Sequence, residues 1–257
     1  MITDKQEALE GIIANNISLG DCSYELRDDK EVVMAAVEQN GLELEYASDE
    51  LCNDKDIVMA AVEEDSWALE YASDELRGDK DVVLAVVRWS GWALQYASEE
   101  LRDDKDVVMA AVEENGWALE YASDKLQDDK DVVLTAVEQN GEALEYASDK
   151  LQGDKEIVIT AVEQNGELLE YASEKLCDDK EVVMAAIKEN PDAICFASER
   201  LQDELDSRIV IAGGNSPYRQ VVSIEYDDLP QQVVSIEDDE KEQTKDTGKP
   251  KSDNDER

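Results

Sequence analysis

The sequence predicts an all-α protein: an α-solenoid of eight tandem 25-residue two-helix repeats, followed by a short irregular, β-prone and disordered acidic C-terminal tail. Three observations carry this prediction. A 25-residue unit recurs without insertion or deletion from Asp29 to Asp203. Within each unit the apolar residues have helical spacing. The recurrence stops abruptly, and the chain beyond it is rich in acids and turn residues. A fixed period in this range is the signature of a solenoid, in which each unit buries its apolar face only against its neighbours.

The period is visible when 29-DKEVVMAAVEQNGLELEYASDELCN-53 is set beside 104-DKDVVMAAVEENGWALEYASDKLQD-128. Units start at residues 4, 29, 54, 79, 104, 129, 154 and 179, so the array covers 4–203. The first is degenerate: Leu19, Ser23 and Leu26 match later units, while the Tyr and most acids are missing. An atypical terminal unit is what an end cap needs.

In each unit the first helix runs through DKDVVMAAVEEN, with Val, Met and Ala covering a wide face. In 28-DDKE-31 an Asp is followed three places later by Glu, the spacing of an N-terminal capping box. The Asn-Gly pairs at 40–41, 115–116, 140–141 and 165–166 are expected to end this helix, with Gly taking the left-handed conformation. The second helix reads through WALEYASDKLQ, with Leu119, Ala122 and Leu126 on one side. Helices of about ten residues are marginal alone, so stacking must stabilise them.

The unit D-K-[DE]-V-V-x-x-A-V-x-x-N-G-x-A-L-x-Y-A-S-[DE]-x-L resembles the helical-repeat family of the domain of unknown function 4116 (DUF4116), over about four-fifths of the chain. That family occurs in proteins of intracellular bacteria and in some protists, and offers no catalytic residues to carry over. The resemblance implies an interaction scaffold, and one that acts inside a eukaryotic host.

The chain carries 66 acidic and 24 basic side chains, a formal charge of -42, yet 42% of its residues are apolar, enough to form a core. Charge so far from zero favours solubility and discourages self-association, so a monomer is expected. It disfavours nucleic acid and anionic membranes and favours protein partners with a basic or mixed surface. No run approaches a membrane span, and the N-terminus lacks a basic-then-apolar leader. A soluble protein of a reducing compartment is expected, in the bacterial cytoplasm or translocated into a host cell, with Cys22, Cys52, Cys177 and Cys195 as free thiols. The sequence has no His, no closely spaced Cys pair, no phosphate-binding Gly loop and no Asp-x-Asp-x-Asp-Gly calcium loop. It therefore predicts no enzyme, no metal and no cofactor.

One stretch breaks the pattern. In 86-VVRWSGWALQYAS-98, Arg88, Trp89 and Gln95 stand where neighbouring units carry mostly acids. The unit starting at Asp79 has net charge -2, against -6 for the unit before and -5 for the unit after. Trp67, Trp92 and Trp117 occupy one equivalent position, four residues before Tyr71, Tyr96 and Tyr121, where other units hold Leu42, Glu142, Glu167 or Asp192. On a helical wheel this face lies opposite Leu119, Ala122 and Leu126. A position that accepts Glu is not fully buried. Trp67, Arg88, Trp89, Trp92, Tyr96 and Trp117 are therefore partner-binding candidates. Packing between layers is the competing reading, evenly matched for the Trp trio and favoured for the Tyr ladder.

Residues 204–220 read as a cap or linker, and 221–257 as an acidic tail. Within the tail, 221-VVSIEYDD-228 recurs as 233-VVSIEDDE-240. Val221, Val222 and Ile224, and Val233, Val234 and Ile236, resemble the inserting side chains of a SUMO-interacting motif, which adds a strand to a sheet edge. The competing reading is a hairpin between the two runs, around 227-DDLPQQ-232. The sequence thus favours a scaffold, with two alternatives: a charge-rich structural repeat without a dedicated partner, and a SUMO-binding protein.

Overall fold

A computed structural model describes residues 1–206, 209–212 and 220–224. The logic of one unit serves for the array. Asp104 opens the α-helix Lys105–Glu114 by accepting hydrogen bonds from the backbone N–H groups of Asp106 and Val107. Val107, Val108, Ala111 and Val112 form its buried face. The helix ends at Asn115, in extended conformation, whose side chain accepts from the Trp117 N–H and opens a 3₁₀-helix, Gly116–Tyr121. Ala118 and Leu119 are its buried residues apart from Gly116 itself. Ala122 is extended again, and a short α-helix, Asp124–Gln127, buries Leu126 and leads into the next unit.

Three sequence expectations are corrected here. The second segment is not a continuous α-helix but a 3₁₀-helix and a short α-helix split at Ala122-Ser123. The split lets the Ser123 N–H donate to the Arg102 carbonyl of the preceding unit at 2.9 Å, and its hydroxyl donate to Asp103 at 2.6 Å. A non-local partner thus replaces the intrahelical one. No capping box forms in 28-DDKE-31: the cap is Asp29, accepting from Glu31 and Val32, while Asp28 accepts from the Ser48 hydroxyl. Nor does the Gly of Asn-Gly take a left-handed conformation. Gly41, Gly116, Gly141 and Gly166, and likewise Gly91 after Ser90, are each the first residue of a 3₁₀-helix, close against the next unit's α-helix. A Cβ on Gly116 would stand 2.3 Å from the Ala136 carbonyl oxygen.

Successive α-helices pack side by side as one layer and successive 3₁₀-helices as a second, with the short helices packed on the α-helix that follows. The protein is an all-α solenoid of 25-residue repeats, and one apolar cluster runs its length, from Ala8 to Leu205. Two ladders tie each unit to the next. The first is the Ser N–H to carbonyl bond, from Ser23–Ile2 to Ser198–Cys177, at 2.7–2.9 Å. The second is an ion pair from the Lys that starts each α-helix to the next unit's capping Asp, from Lys5–Asp29 to Lys155–Asp179, at 2.7–2.9 Å. Lys180 closes the series on Glu204.

The ends differ from the middle. Asn15 has φ 53, the left-handed conformation expected of Gly at its neighbours' junctions, and the first 3₁₀-helix shrinks to Leu19–Asp21. At the other end the last helix lengthens to Glu199–Asp206 and buries Leu201 and Leu205 over the open core. Beyond it, strands Ile209–Ala212 and Gln220–Ile224 pair antiparallel, with Ile209 opposite Ile224 and a register shift between Val210 and Ile211.

The capping acids do two jobs, and this gives a first prediction. The Lys partner holds Asp54, Asp79, Asp104, Asp154 and Asp179 below the usual carboxylate range, helped by backbone N–H groups and opposed by partial burial. Asp129→Ala removes both the cap on Asp131 and Val132 and the anchor for Lys105. It is expected to destabilise by about 1–2 kcal/mol. Lys105→Met, which removes only the surface ion pairs to Asp129 and Asp131, is expected to cost clearly less. Urea unfolding of the two variants checks the order; a larger loss for Lys105→Met would contradict it.

Candidate interaction surface

The outer face of the 3₁₀ layer gathers the aromatic residues. Trp67, Trp92 and Trp117 each meet the Tyr of the next unit, not the Tyr of their own. Trp67 packs edge-on to Tyr96 with ring centroids 5.9 Å apart, Trp92 to Tyr121 at 6.1 Å, and Trp117 to Tyr146 at 5.8 Å. Trp92 and Trp117 also stack on each other, 6.4 Å between centroids and 20° between planes. The helical-wheel placement of Trp and Tyr on one face of one helix is replaced by this diagonal contact, because the segment carrying them is 3₁₀ and its partner lies across the junction.

Packing and exposure divide the candidates. Trp92, Trp117 and Tyr96 are half-buried between units. Trp67 keeps 53% of its surface in water despite its contact with Tyr96. Trp89, just beyond the α-helix Lys80–Val87, is 79% exposed, and Arg88 beside it is exposed too. Leu42 and Tyr46 extend the exposed apolar surface by one unit toward the N-terminus.

A row of acids accompanies the aromatics. Burial, with the carboxylates alongside, holds the Tyr71, Tyr96, Tyr121, Tyr146 and Tyr171 hydroxyls above the usual phenol value. At exposed Tyr46 the Glu45 side chain is the main cause. The charges that act on Tyr71 are those of Glu45 and Glu70, on Tyr146 chiefly Glu120 and Glu145, and on Tyr171 those of Glu145 and Glu170. The signal was present in the sequence: of the six units that carry a ladder Tyr, all but one place Glu before it. The exception is Gln95, whose side-chain amide donates to the Trp92 carbonyl at 3.1 Å. At the N-terminal end, the Arg27 guanidinium sits over the Tyr46 ring, 5.9 Å from its centroid.

All four cysteines are free, and burial pushes the Cys22, Cys52 and Cys177 thiols up, away from the reactive thiolate. Among the described residues no cluster of His, Cys, Asp or Glu could hold a metal ion, and no helix is long and apolar enough to cross a membrane.

Of the tail candidates, Val221, Val222 and Ile224 lie in strand Gln220–Ile224. That strand pairs with Ile209–Ala212, the segment just after the array. Val233, Val234 and Ile236 lie outside the described residues.

Repeat geometry, a continuous core and an ordered aromatic face define a helical-repeat protein. The chain belongs to the family described as domain of unknown function (DUF4116), whose model matches residues 4–52, 29–77, 54–102, 79–127, 104–152 and 154–202. Each match spans two consecutive units and starts at a unit boundary, the first at the degenerate unit. No curated protein and no solved structure matches the chain.

Proposed function

We propose that this protein is a non-enzymatic protein-interaction scaffold that presents the aromatic face of its 3₁₀ layer to a partner. One observation carries the reading: Trp67 in the 3₁₀ layer remains 53% exposed, and Trp89, just ahead of that layer where the other full units carry Glu or Gln, remains 79% exposed. Large aromatics left in water and rimmed by polar groups are the usual anchors of protein interfaces. The stacked Trp92–Trp117 pair beside them gives a stiff floor, which lowers the entropy lost on binding.

Exposure makes the test clean. Trp67→Ala with Trp89→Ala is expected to leave thermal melting nearly unchanged, since surface changes usually stay within about 0.5 kcal/mol. The same pair is expected to abolish recovery of a partner from eukaryotic cell extract. Undiminished recovery would leave the alternative, a charge-rich structural repeat with no dedicated partner. Action inside a host cell rests on the family likeness alone; a reporter fusion that never crosses into the host would remove it.

A further inference from the structure

Resting on the scaffold reading, we propose that the partner is an extended polypeptide segment bearing Lys or Arg at about every third residue, laid lengthwise along the Tyr–Glu row of the 3₁₀ layer. Glu45, Glu70, Glu120, Glu145 and Glu170 are the acids of this row, each exposed and directly before the ladder tyrosine that ends its 3₁₀-helix. A face of alternating carboxylates and aromatic rings complements a cation whose stem is apolar. The charged head meets the carboxylate, while the methylenes or guanidinium plane lie on a ring. The chain itself makes the ring half of such a contact, with Arg27 over Tyr46 at 5.9 Å, while its N–H groups donate to the Gly20 and Cys22 carbonyls.

The spacing selects an extended chain. Stacked helices lie roughly 8–10 Å apart, and an extended chain advances about 3.3 Å per residue. One side chain in about three therefore returns to the equivalent place in the next unit. Gln95 interrupts the row, its amide committed to the Trp92 carbonyl. The register is therefore basic over Glu45 and Glu70, neutral over Gln95, and basic again over Glu120 to Glu170. Here Trp92 and Trp117 offer an apolar floor in place of the missing charge.

A chain of charge -42 attracts any polycation, so the test must separate the stripe from diffuse attraction. The probe is a labelled peptide with Arg at every third position, long enough to cross six units, titrated at 0.15 M salt and read by fluorescence anisotropy. One variant carries Glu45→Gln, Glu70→Gln, Glu120→Gln and Glu145→Gln. A charge-matched variant carries Asp49→Asn, Glu99→Gln, Asp124→Asn and Asp149→Asn, all exposed and outside the 3₁₀-helices. The first is expected to lose about tenfold or more in affinity and the second less than about twofold. Gln95→Glu is expected to tighten this peptide a few fold and leave one with a neutral centre unchanged. Equal losses in the two charge-matched variants, or no binding by the parent chain, would overturn the stripe. The scaffold reading would still stand or fall on the Trp67 and Trp89 variants, whose readout does not depend on this peptide.

Discussion

Leu119→Ala is expected to destabilise the array by about 2–5 kcal/mol, and to do so by dividing it. Leu119 is fully buried, on the inward side of the 3₁₀-helix Gly116–Tyr121. That 3₁₀-helix packs on both its own α-helix, Lys105–Glu114, and the next one, Lys130–Gln139. The side chain therefore serves two units at once, and its loss weakens one unit and the junction beyond it. In a solenoid each unit is coupled only to its neighbours, so a lesion in the middle splits one cooperative block into two. Chemical unfolding should change from one transition to a broader or two-step curve, with hydrogen exchange fastest near residues 104–153. Leu201→Ala also empties a buried site, but in the terminal helix Glu199–Asp206. There the expected result is local fraying, with most of the array keeping its midpoint. Identical curves for the two variants would mean the array melts as one indivisible body.

What the sequence made legible follows from which interactions are local. The α-helices could be read because their buried Val and Ala recur with helical spacing and an Asp opens each one, as at Val107, Val108, Ala111 and Val112 behind Asp104. The period could be read because one-to-one stacking tolerates no insertion. The 3₁₀ segment could not: Leu119, Ala122 and Leu126 suit a continuous α-helix just as well. Only the Arg102 carbonyl, a unit away, makes Ser123 break the run. The Asp28-Asp29 doublet offered two caps, and the Ser48 hydroxyl decides which one is used.

The candidate surface was half legible. The Trp positions stood out, but packing and binding were posed as rivals, whereas the structure gives packing to Trp92 and Trp117 and exposure to Trp67 and Trp89. The acids before each Tyr were hidden by abundance. In a chain with 66 acidic residues a carboxylate carries no signal until its neighbour is known. Placing Glu70 beside Tyr96, across a unit boundary, needed the fold.

Gly116→Ala is expected to cost about 1–3 kcal/mol, the range for forcing an extra methyl into a packed interior. Helix propensity alone would predict the opposite sign, since Ala normally stabilises where Gly is not required by its φ. The reason lies across the junction. The added Cβ would stand 2.3 Å from the Ala136 carbonyl oxygen and 3.1 Å from the Asn140 N, both backbone atoms of the next unit. Backbone cannot swing aside, so the junction between the units starting at 104 and 129 must open. Gly141→Ala is the control: its nearest neighbour would be Leu168 Cδ1 at 2.8 Å, the free end of a side chain, with the Ala161 oxygen at 3.1 Å. Rotation of Leu168 relieves most of that clash, so the expected cost is under about 1 kcal/mol after the gain from a stiffer unfolded chain. Within the array, the position already varies. Ser66 occupies the equivalent position and is half-buried, while Gly41, Gly91 and Gly116 are buried, so that junction leaves room for a side chain. A clear ordering in urea midpoints, Gly116→Ala well below Gly141→Ala, would establish that close backbone approach sets the tightness of each junction. Equal midpoints would mean the junctions flex enough to absorb a methyl anywhere along the solenoid.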